Sequence, residues 1–364
     1  MDDFCVIALS GGVDSTVAAL LLRQRFNYLA GATHYIWPNS RCCSLSVFKR
    51  ASYLAEKLSM PYFVLDLHQA FKEAVVSDFI SSYLGGFTPN PCVICNEVIR
   101  FGLFYEEVRK KLIGEKIIDE KTHFYFATGH YARIVNTPQG YFIAKGLDPK
   151  KDQSYMLYRI PQAMLPHLIF PLGEMLKKDV IEIARQARFS VAEAKESQDA
   201  CFVDNDYVDF ISKETGRIDL NQPGLIVDLA GKTLGSHRGF IHYTVGQRRG
   251  LGLDNGPWYV VDIKASQNEV VVSRRDFGFK VFNIKKANWF ISPPQEGLAC
   301  NVKIRYQGKE IPALVTALNS NEARVELDQK ELITPGQSAV FYQGELVIGG
   351  GIIHPGEKNI QTQA

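Results

Sequence analysis

The chain has 364 residues, 46% hydrophobic and 22% charged, with a formal net charge of +2. That is room for two or three cored domains; no apolar run approaches the roughly 20 residues of a membrane span, and a nucleic acid has no general basic field to bind, only local patches. No charged-then-apolar leader precedes the first strand, so the expectation is a cytoplasmic protein whose seven cysteines are reduced thiols and not a disulfide framework.

Phe4-Cys-Val-Ile-Ala-Leu9 reads as a buried strand and Val17-Ala-Ala-Leu-Leu-Leu22 as the first turns of a helix. Ala8-Leu-Ser-Gly-Gly-Val-Asp-Ser15 joins them. Its two glycines let the backbone turn sharply, and Ser10, Asp14 and Ser15 fall where the helix begins. Backbone donors at the positive end of a helix dipole make an anion site. The loop lacks the Gly-Lys-Ser/Thr of a Walker A motif, so no lysine of its own reaches the outer phosphates. Strand, serine, Val-Asp-Ser and helix together favour a phosphate cradle over a plain turn.

Residues 29–35 read as a second strand. A helix with Val47, Ala51, Leu54 and Leu58 on one face follows, then a strand at 62–66 and another at 124–128. Strands alternating with helices imply a parallel sheet covered on both sides, with ligands beyond the carboxyl ends of its strands. Residues 10–15, His34, Asp66 and Gly129-His130 then share one edge, although Gly129-His130 also fits a strand-ending turn with a surface histidine.

Phe87-Thr-Pro-Asn-Pro-Cys-Val-Ile-Cys-Asn96 is stiffened by Pro89 and Pro91, which present Asn90 and Cys92 on extended backbone. Cys95 falls near the expected start of a helix over 97–111, where the dipole favours a thiolate. The C-x-x-C fits half a zinc site, a redox pair, or one nucleophile beside a second ligand, but no second zinc pair is present at matching spacing. The polar loop 145–154 reads as a solvated turn, a helix is expected over 174–187, and Cys201 lies among polar residues as a reactive thiol does. Cys5 and Cys300 sit in apolar runs and read as small buried hydrophobes; Cys42-Cys43 reads as a loop pair.

From about residue 204 the texture changes to short strands, expected at 223–228, 240–245, 258–262 and 270–273, with glycine-rich turns. Gln247-Arg-Arg-Gly-Leu-Gly252 sets two arginines on a tight loop, either solvated or facing phosphate. Beyond Phe282, strands at 302–306, 311–315, 323–327, 339–342 and 346–348 suggest a small closed barrel, with Arg305-Tyr306 pairing a cation and an aromatic. The tail after His354 is expected to be disordered.

Residues 8–15 resemble the PP-loop of ATP pyrophosphatases, which cleave ATP to AMP and pyrophosphate. With Thr88-Pro-Asn-Pro-Cys-Val-Ile-Cys-Asn96, Ala127-Thr-Gly-His-Tyr-Ala132, Lys151-Asp-Gln-Ser-Tyr155, Ser197-Gln-Asp-Ala-Cys-Phe202, Tyr243-Thr-Val-Gly-Gln-Arg-Arg-Gly-Leu-Gly252 and Thr334-Pro-Gly-Gln-Ser-Ala-Val-Phe-Tyr342, nearly the whole chain resembles the tRNA-specific 2-thiouridylase family. The resemblance implies an α/β fold: a doubly wound parallel-sheet PP-loop domain over 1–204, a small mostly β central domain over 205–281 and a tRNA-contacting C-terminal β barrel over 282–364. It implies ATP-dependent 2-thiolation of the wobble uridine of lysine, glutamate and glutamine tRNAs, by adenylation of the C2 oxygen and sulfur transfer from a cysteine persulfide. ATP and Mg2+ are the implied cofactors, and tRNA and a protein persulfide donor the partners.

Carried over by position, Cys95 is the nucleophile and Cys201 the persulfide bearer, the two able to form a disulfide after turnover. Ala8, Leu9, Ser10, Gly11, Gly12, Val13, Asp14, Ser15, His34 and Gly129 match ATP contacts. Asn90, Pro91 and Cys92 match contacts to the target base; His130, Lys151, Asp152, Gln153, Arg305, Tyr306 and Gln337 match contacts to tRNA. The chain departs from the family's pattern in having Cys92 where many relatives carry an acid, a candidate general base, and His34 where methionine is frequent. With Cys92 in place, Cys92, Cys95 and Cys201 could alternatively ligate a [4Fe–4S] cluster. A PP-loop synthetase or amidotransferase acting on a small molecule is the rival function.

Overall fold

The computed structural model describes residues 4–38, 44–187, 189, 200–204, 206–274 and 278–354. Cys42, Cys43 and the tail after His354 lie outside them. The chain divides into two compact units, one of Met1–Val75, Cys92–Phe202 and Glu345–Ile348, the other of Val76–Pro91, Val203–Gly344 and Gly349–Ala364.

In the first unit, β1 (Phe4–Ala8), β2 (Tyr28–Tyr35), β3 (Tyr62–Asp66) and β4 (Phe124–Ala127) form a sheet with one later strand. Before that strand, β5 (Ala132–Thr137) and β6 (Gly140–Lys145) make an antiparallel hairpin, and the later strand is β7 (Leu168–Ile169). The sheet runs β3-β2-β1-β4-β7 with every pairing parallel. Successive strands lie to one side of β1 and then to the other, so right-handed crossovers place helices on opposite faces. The reversal beside β1 creates the crevice where such sheets bind ligands.

Burial on both faces explains why β1 reads as an unbroken apolar run: Cys5, Val6 and Ile7 have no exposed surface. Burial also pushes the Cys5 thiol pKa far up, which suits a packing role. Helix α1 (Val13–Arg25) packs Val17, Ala18 and Leu22 into this core, and α2 (Leu45–Lys57) adds Ala51 and Leu54. The helix expected over 174–187 runs from Lys177 to Gln186.

The helix bearing the C-x-x-C starts earlier than the sequence suggests. Pro91–Ile94 forms an α-helical turn, Cys95–Leu103 continues with wider π-type hydrogen bonding, and Phe104–Gly114 returns to α. Proline is well suited to the first helical position because its missing N–H has no intrahelical acceptor there. The expected helix start at Glu97 is therefore corrected to Pro91: Cys92 occupies the first turn and Cys95 the second.

The second unit carries a four-stranded sheet made of β8 (Gly224–Val227), β9 (Thr233–His237), β10 (Tyr259–Lys264) and β11 (Glu269–Ser273), in the order β10-β11-β8-β9. The strand expected over 240–245 is instead a 3-10 turn, Phe240–His242. Gly239 precedes it at φ +117°, with the carbonyl oxygen of Leu220 only 2.1 Å from where a Cβ would stand. Buried Ile241, Tyr243 and Val245 imitate strand alternation, but the chain turns there.

The remaining strands are β12 (Phe279–Trp289), β13 (Leu298–Lys303), β14 (Ile311–Asn319), β15 (Glu322–Glu331), β16 (Ser338–Gln343) and β17 (Leu346–His354). They run β12-β15-β14-β13-β16-β17, and β17 pairs back onto β12 to close a six-stranded barrel. Closure removes exposed sheet edges. Cys300 lies on β13, its thiol pushed up to about 12 by burial.

Candidate active site

The turn after β1 is held from several directions. Leu9 donates its N–H to Ala32 O at 2.8 Å, and Thr33 Oγ1 donates to Leu9 O at 2.7 Å. Gly11 adopts φ +63°, and a Cβ there would stand 2.8 Å from the carbonyl oxygen of Val47. Ser15 Oγ accepts from Ser10 N at 3.2 Å and donates to Gly12 O at 3.1 Å, knotting the loop across its base. Arg50 Nε donates to Gly11 O at 2.7 Å. Gly12 is the N-cap of α1 and supplies no side-chain cap, so first-turn N–H groups without intrahelical acceptors face outward. They combine with the helix dipole to favour a bound anion.

Asp14 accepts from Lys177 Nζ at 2.7 and 2.8 Å and from Tyr131 Oη at 2.7 Å. Sequence reading picked neither partner. Lys177 could have been noticed, because a cation in the first turn of a helix opposes the macrodipole. Two carboxylates offset that: Asp14, and Asp148, which accepts from the Lys177 N–H at 3.0 Å. That backbone bond leads the interactions holding the Asp148 pKa below the carboxylate norm. The Gly129 backbone abuts this turn, for a Cβ there would lie 3.0 Å from Asp14 C and Ser15 N.

The helix carrying Cys92 and Cys95 is tied to the same sheet. Phe104 meets the His34 ring edge-on with centroids 5.0 Å apart and Phe126 at 5.6 Å. His34, penultimate in β2, is buried. Asn96 Nδ2 donates to Met156 O at 3.1 Å, and Arg159 Nη2 donates to Glu97 Oε1 at 2.9 Å. Arg100 Nη1 donates to Asn96 Oδ1 at 2.9 Å and lies 3.3 Å from His130 Nε2. A guanidinium only donates, so His130 Nε2 accepts and Nδ1 carries the proton, donated to Thr128 Oγ1 at 2.7 Å. Burial, with Arg100 adding to it, holds the His130 pKa well below its usual value, so the ring is neutral.

Cys95 is buried, whereas solvent reaches Cys92. Surrounding protein nevertheless desolvates the Cys92 thiol and raises its pKa, with the Arg100 charge opposing the rise. Cys201 is half-buried. Its neighbour Phe202 is buried and packs edge-on against Phe71 at 5.5 Å and Trp37 at 6.3 Å. Trp37 follows the carboxyl end of β2, so Phe202 tethers the Cys201 segment at that edge of the sheet. Neither Cys95 nor Cys201 is in a disulfide. Among the described residues no three His, Cys, Asp or Glu side chains gather as a metal-binding group, so Cys92, Cys95 and Cys201 do not form a cluster ligand set in this arrangement.

Other residues singled out in the sequence shape backbone. Asp66 Oδ1 accepts from His68 N at 2.9 Å at the start of a short helix. Asp152 accepts from Gly146 N at 3.1 Å and Ser154 N at 3.0 Å, while Gln153 Oε1 accepts from Tyr131 N at 2.9 Å, beside Lys151. In the second unit, Gln337 Nε2 donates to Thr88 O at 2.8 Å, buttressing the approach to Asn90 and Pro91. Arg305 Nη2 donates to Leu332 O and Thr334 Oγ1, both at 3.1 Å, with Tyr306 next in the chain.

Three family models match the chain in order: the tRNA methyl transferase HUP domain over residues 3–205, the tRNA methyl transferase PRC-barrel domain over 209–274 and the aminomethyltransferase beta-barrel domain over 279–353. A tRNA-specific 2-thiouridylase MnmA of Geotalea uraniireducens is 42% identical, covering 96% of this chain and 94% of the relative. Another of Caldanaerobacter subterraneus is 41% identical, covering 96% and 97% respectively. One of Acidithiobacillus ferrooxidans is 41% identical, covering 97% and 98%. With a PP-loop on a parallel sheet, a β barrel after it and such relatives along nearly its whole length, the chain belongs to the tRNA-specific 2-thiouridylase family.

Proposed function

We propose that the chain replaces the C2 oxygen of the wobble uridine in lysine, glutamate and glutamine tRNAs with sulfur, in the cytoplasm. The observation that carries the reading is the attachment of three segments to one parallel sheet: the PP-loop, the helix with Cys95, and the Cys201 turn anchored by Phe202. Residues 1–204 act as the catalytic domain, 205–281 as the central domain and 282–364 as a tRNA-contacting barrel. Residues 8–15, His34 and Gly129 hold ATP. Mg2+ arriving with the nucleotide would neutralise phosphate charge, while Asp14, the PP-loop carboxylate, is already held by Lys177 and Tyr131.

The C2 oxygen attacks the α-phosphorus of ATP and expels pyrophosphate, leaving an adenylated base whose C–O bond breaks easily. The terminal sulfur of a persulfide on Cys201, loaded by a protein donor, attacks C2 and AMP departs. The Cys95 thiolate then attacks the remaining Cys201 sulfur, breaking the S–S bond; C2 keeps the outer sulfur and a Cys95–Cys201 disulfide forms. A thiol reductant restores both cysteines. Asn90, Pro91 and Cys92 meet the target base, while His130, Lys151, Asp152, Gln153, Arg305, Tyr306 and Gln337 belong to the tRNA contact set. His130, Asp152 and Gln153 serve it by fixing the backbone that tRNA meets, which fits their internal hydrogen bonds.

The test is mass spectrometry of tRNA nucleosides after incubation with the protein, ATP, Mg2+ and a persulfide donor. The reading requires 2-thiouridine from the parent, none from Cys95→Ser or Cys201→Ser, and pyrophosphate release still measurable with Cys201→Ser. Unimpaired turnover by both cysteine variants on a small-molecule acceptor would favour a synthetase instead.

A further inference from the structure

The central sheet of the second unit borders a cavity of about 640 Å³ whose lining includes Arg248, Gly250, Leu251, Asp254, Pro257 and Trp258. Its floor is rigid. Leu251 is buried in a small core with Ile226, Tyr243 and Val260, against which Trp258 packs. Trp258 Nε1 donates to Asp254 O at 2.9 Å, fixing the indole edge. The guanidinium of Arg274 lies over the indole ring, 4.6 Å from its centroid.

The rim is built as firmly. Gln247 clamps the arginine loop, accepting from Thr244 N at 3.1 Å and donating to Arg249 O at 2.9 Å. Gly250 and Gly252, at φ +76° and +64°, bend the loop and leave that wall as bare backbone. Arg248, Arg249 and Arg274 are exposed against the single lining acid Asp254, so the region is locally basic on a chain whose net charge is only +2.

We propose that this cavity is a further RNA-contact site holding one unpaired nucleotide of the tRNA. The base stacks on Trp258 or on the Arg274 plane over it, and Arg248 meets the adjoining phosphate. Aromatic and guanidinium planes recognise splayed RNA bases in this way, and the volume suits a nucleotide-sized ligand. The inference rests on the chain being a tRNA-modifying enzyme.

The test measures binding of an unmodified substrate tRNA to the full chain by fluorescence anisotropy across a salt series, alongside steady-state thiolation. Trp258→Ala should weaken binding by about 5- to 150-fold, the range for loss of one stacked base, and Trp258→Phe should recover most of it. Arg248→Ala should lower the slope of log affinity against log salt by about one. Arg248 is exposed, so this second variant reports even where Trp258→Ala disturbs the small core. Both alanine variants should raise the KM for tRNA and leave kcat unchanged.

The site is overturned if the parent binds and thiolates tRNA while Trp258→Ala and Arg248→Ala both keep its affinity and salt slope. A parent that neither binds nor thiolates tRNA overturns the proposed function as well, which separates the two failures.

Discussion

Lys177 Nζ sits 2.7 Å from one oxygen of Asp14 and 2.8 Å from the other. The PP-loop contains no lysine, and this residue, 163 positions along the chain, brings one to its edge. Unit charges about 4 Å apart near a protein surface interact by about 4 kcal/mol before screening, and a third of that is about a tenfold change in affinity. Lys177→Met leaves the Asp14 carboxylate facing the phosphates with only Tyr131 attached. The expected outcome is a KM for ATP raised at least about tenfold, partly restored in Lys177→Arg, measured by tRNA-dependent pyrophosphate release.

Gly129 is required for space. A Cβ there meets Asp14 C and Ser15 N at 3.0 Å, both backbone atoms that yield only if the ATP loop moves. Gly129→Ala should cost about 1–3 kcal/mol of stability as an overpacking change and weaken ATP binding more than it lowers Tm. Gly114→Ala is the control: nothing lies within 4 Å of its Cβ position and it ends a helix, so it should be neutral or stabilising by up to about 1 kcal/mol. Calorimetric ATP titration and thermal melts distinguish the two.

His130 makes stability depend on pH. Its folded pKa is depressed well below the ordinary 6.5, so between those values the unfolded chain binds a proton that the folded chain refuses. Stability is therefore full above pH 6.5 and falls as pH drops below it, by about 1.4 kcal/mol per pH unit for this group. His130→Asn should remove about one proton's worth of that slope. Urea melts from pH 7 down to about 5 read the difference; equal slopes in parent and variant would show that His130 is protonated in the native state.

Cys92 lies in the first turn of its helix, and its thiol pKa lies above the ordinary 9.0. Were this thiol the proton acceptor in the thiolation step, the rate would climb with pH past 9.0 in the parent. Cys92→Asp then moves the rise several units toward acid, because a carboxylate is ionised by about pH 4. The same alkaline limb in both proteins rules Cys92 out as the acceptor.

Much of this organisation is local in origin and can be read from the chain. Phe4 to Ala8 is apolar because both faces of β1 are covered, and Gly11-Gly12 is present because the turn into α1 leaves no room for a side chain at Gly11. The barrel follows from short alternating strands, and the C-x-x-C announces itself by spacing. Misreadings arose where a local pattern had two meanings. Residues 240–245 alternate like a strand but turn at Gly239, and Pro91, which reads as stiffening an extended loop, instead begins the helix.

Tertiary structure alone decided which groups face one another. Lys177 and Tyr131 on Asp14, Arg100 on His130, and Phe202 on Phe71 join residues between 30 and 163 positions apart. No periodicity encodes such pairings, because they depend on how strand order brings separate loops to one sheet edge. By itself the sequence determined the elements, the ATP loop and the thiols; folding determined their charge partners, protonation states and anchoring, since those depend on distance through space and on exclusion of water.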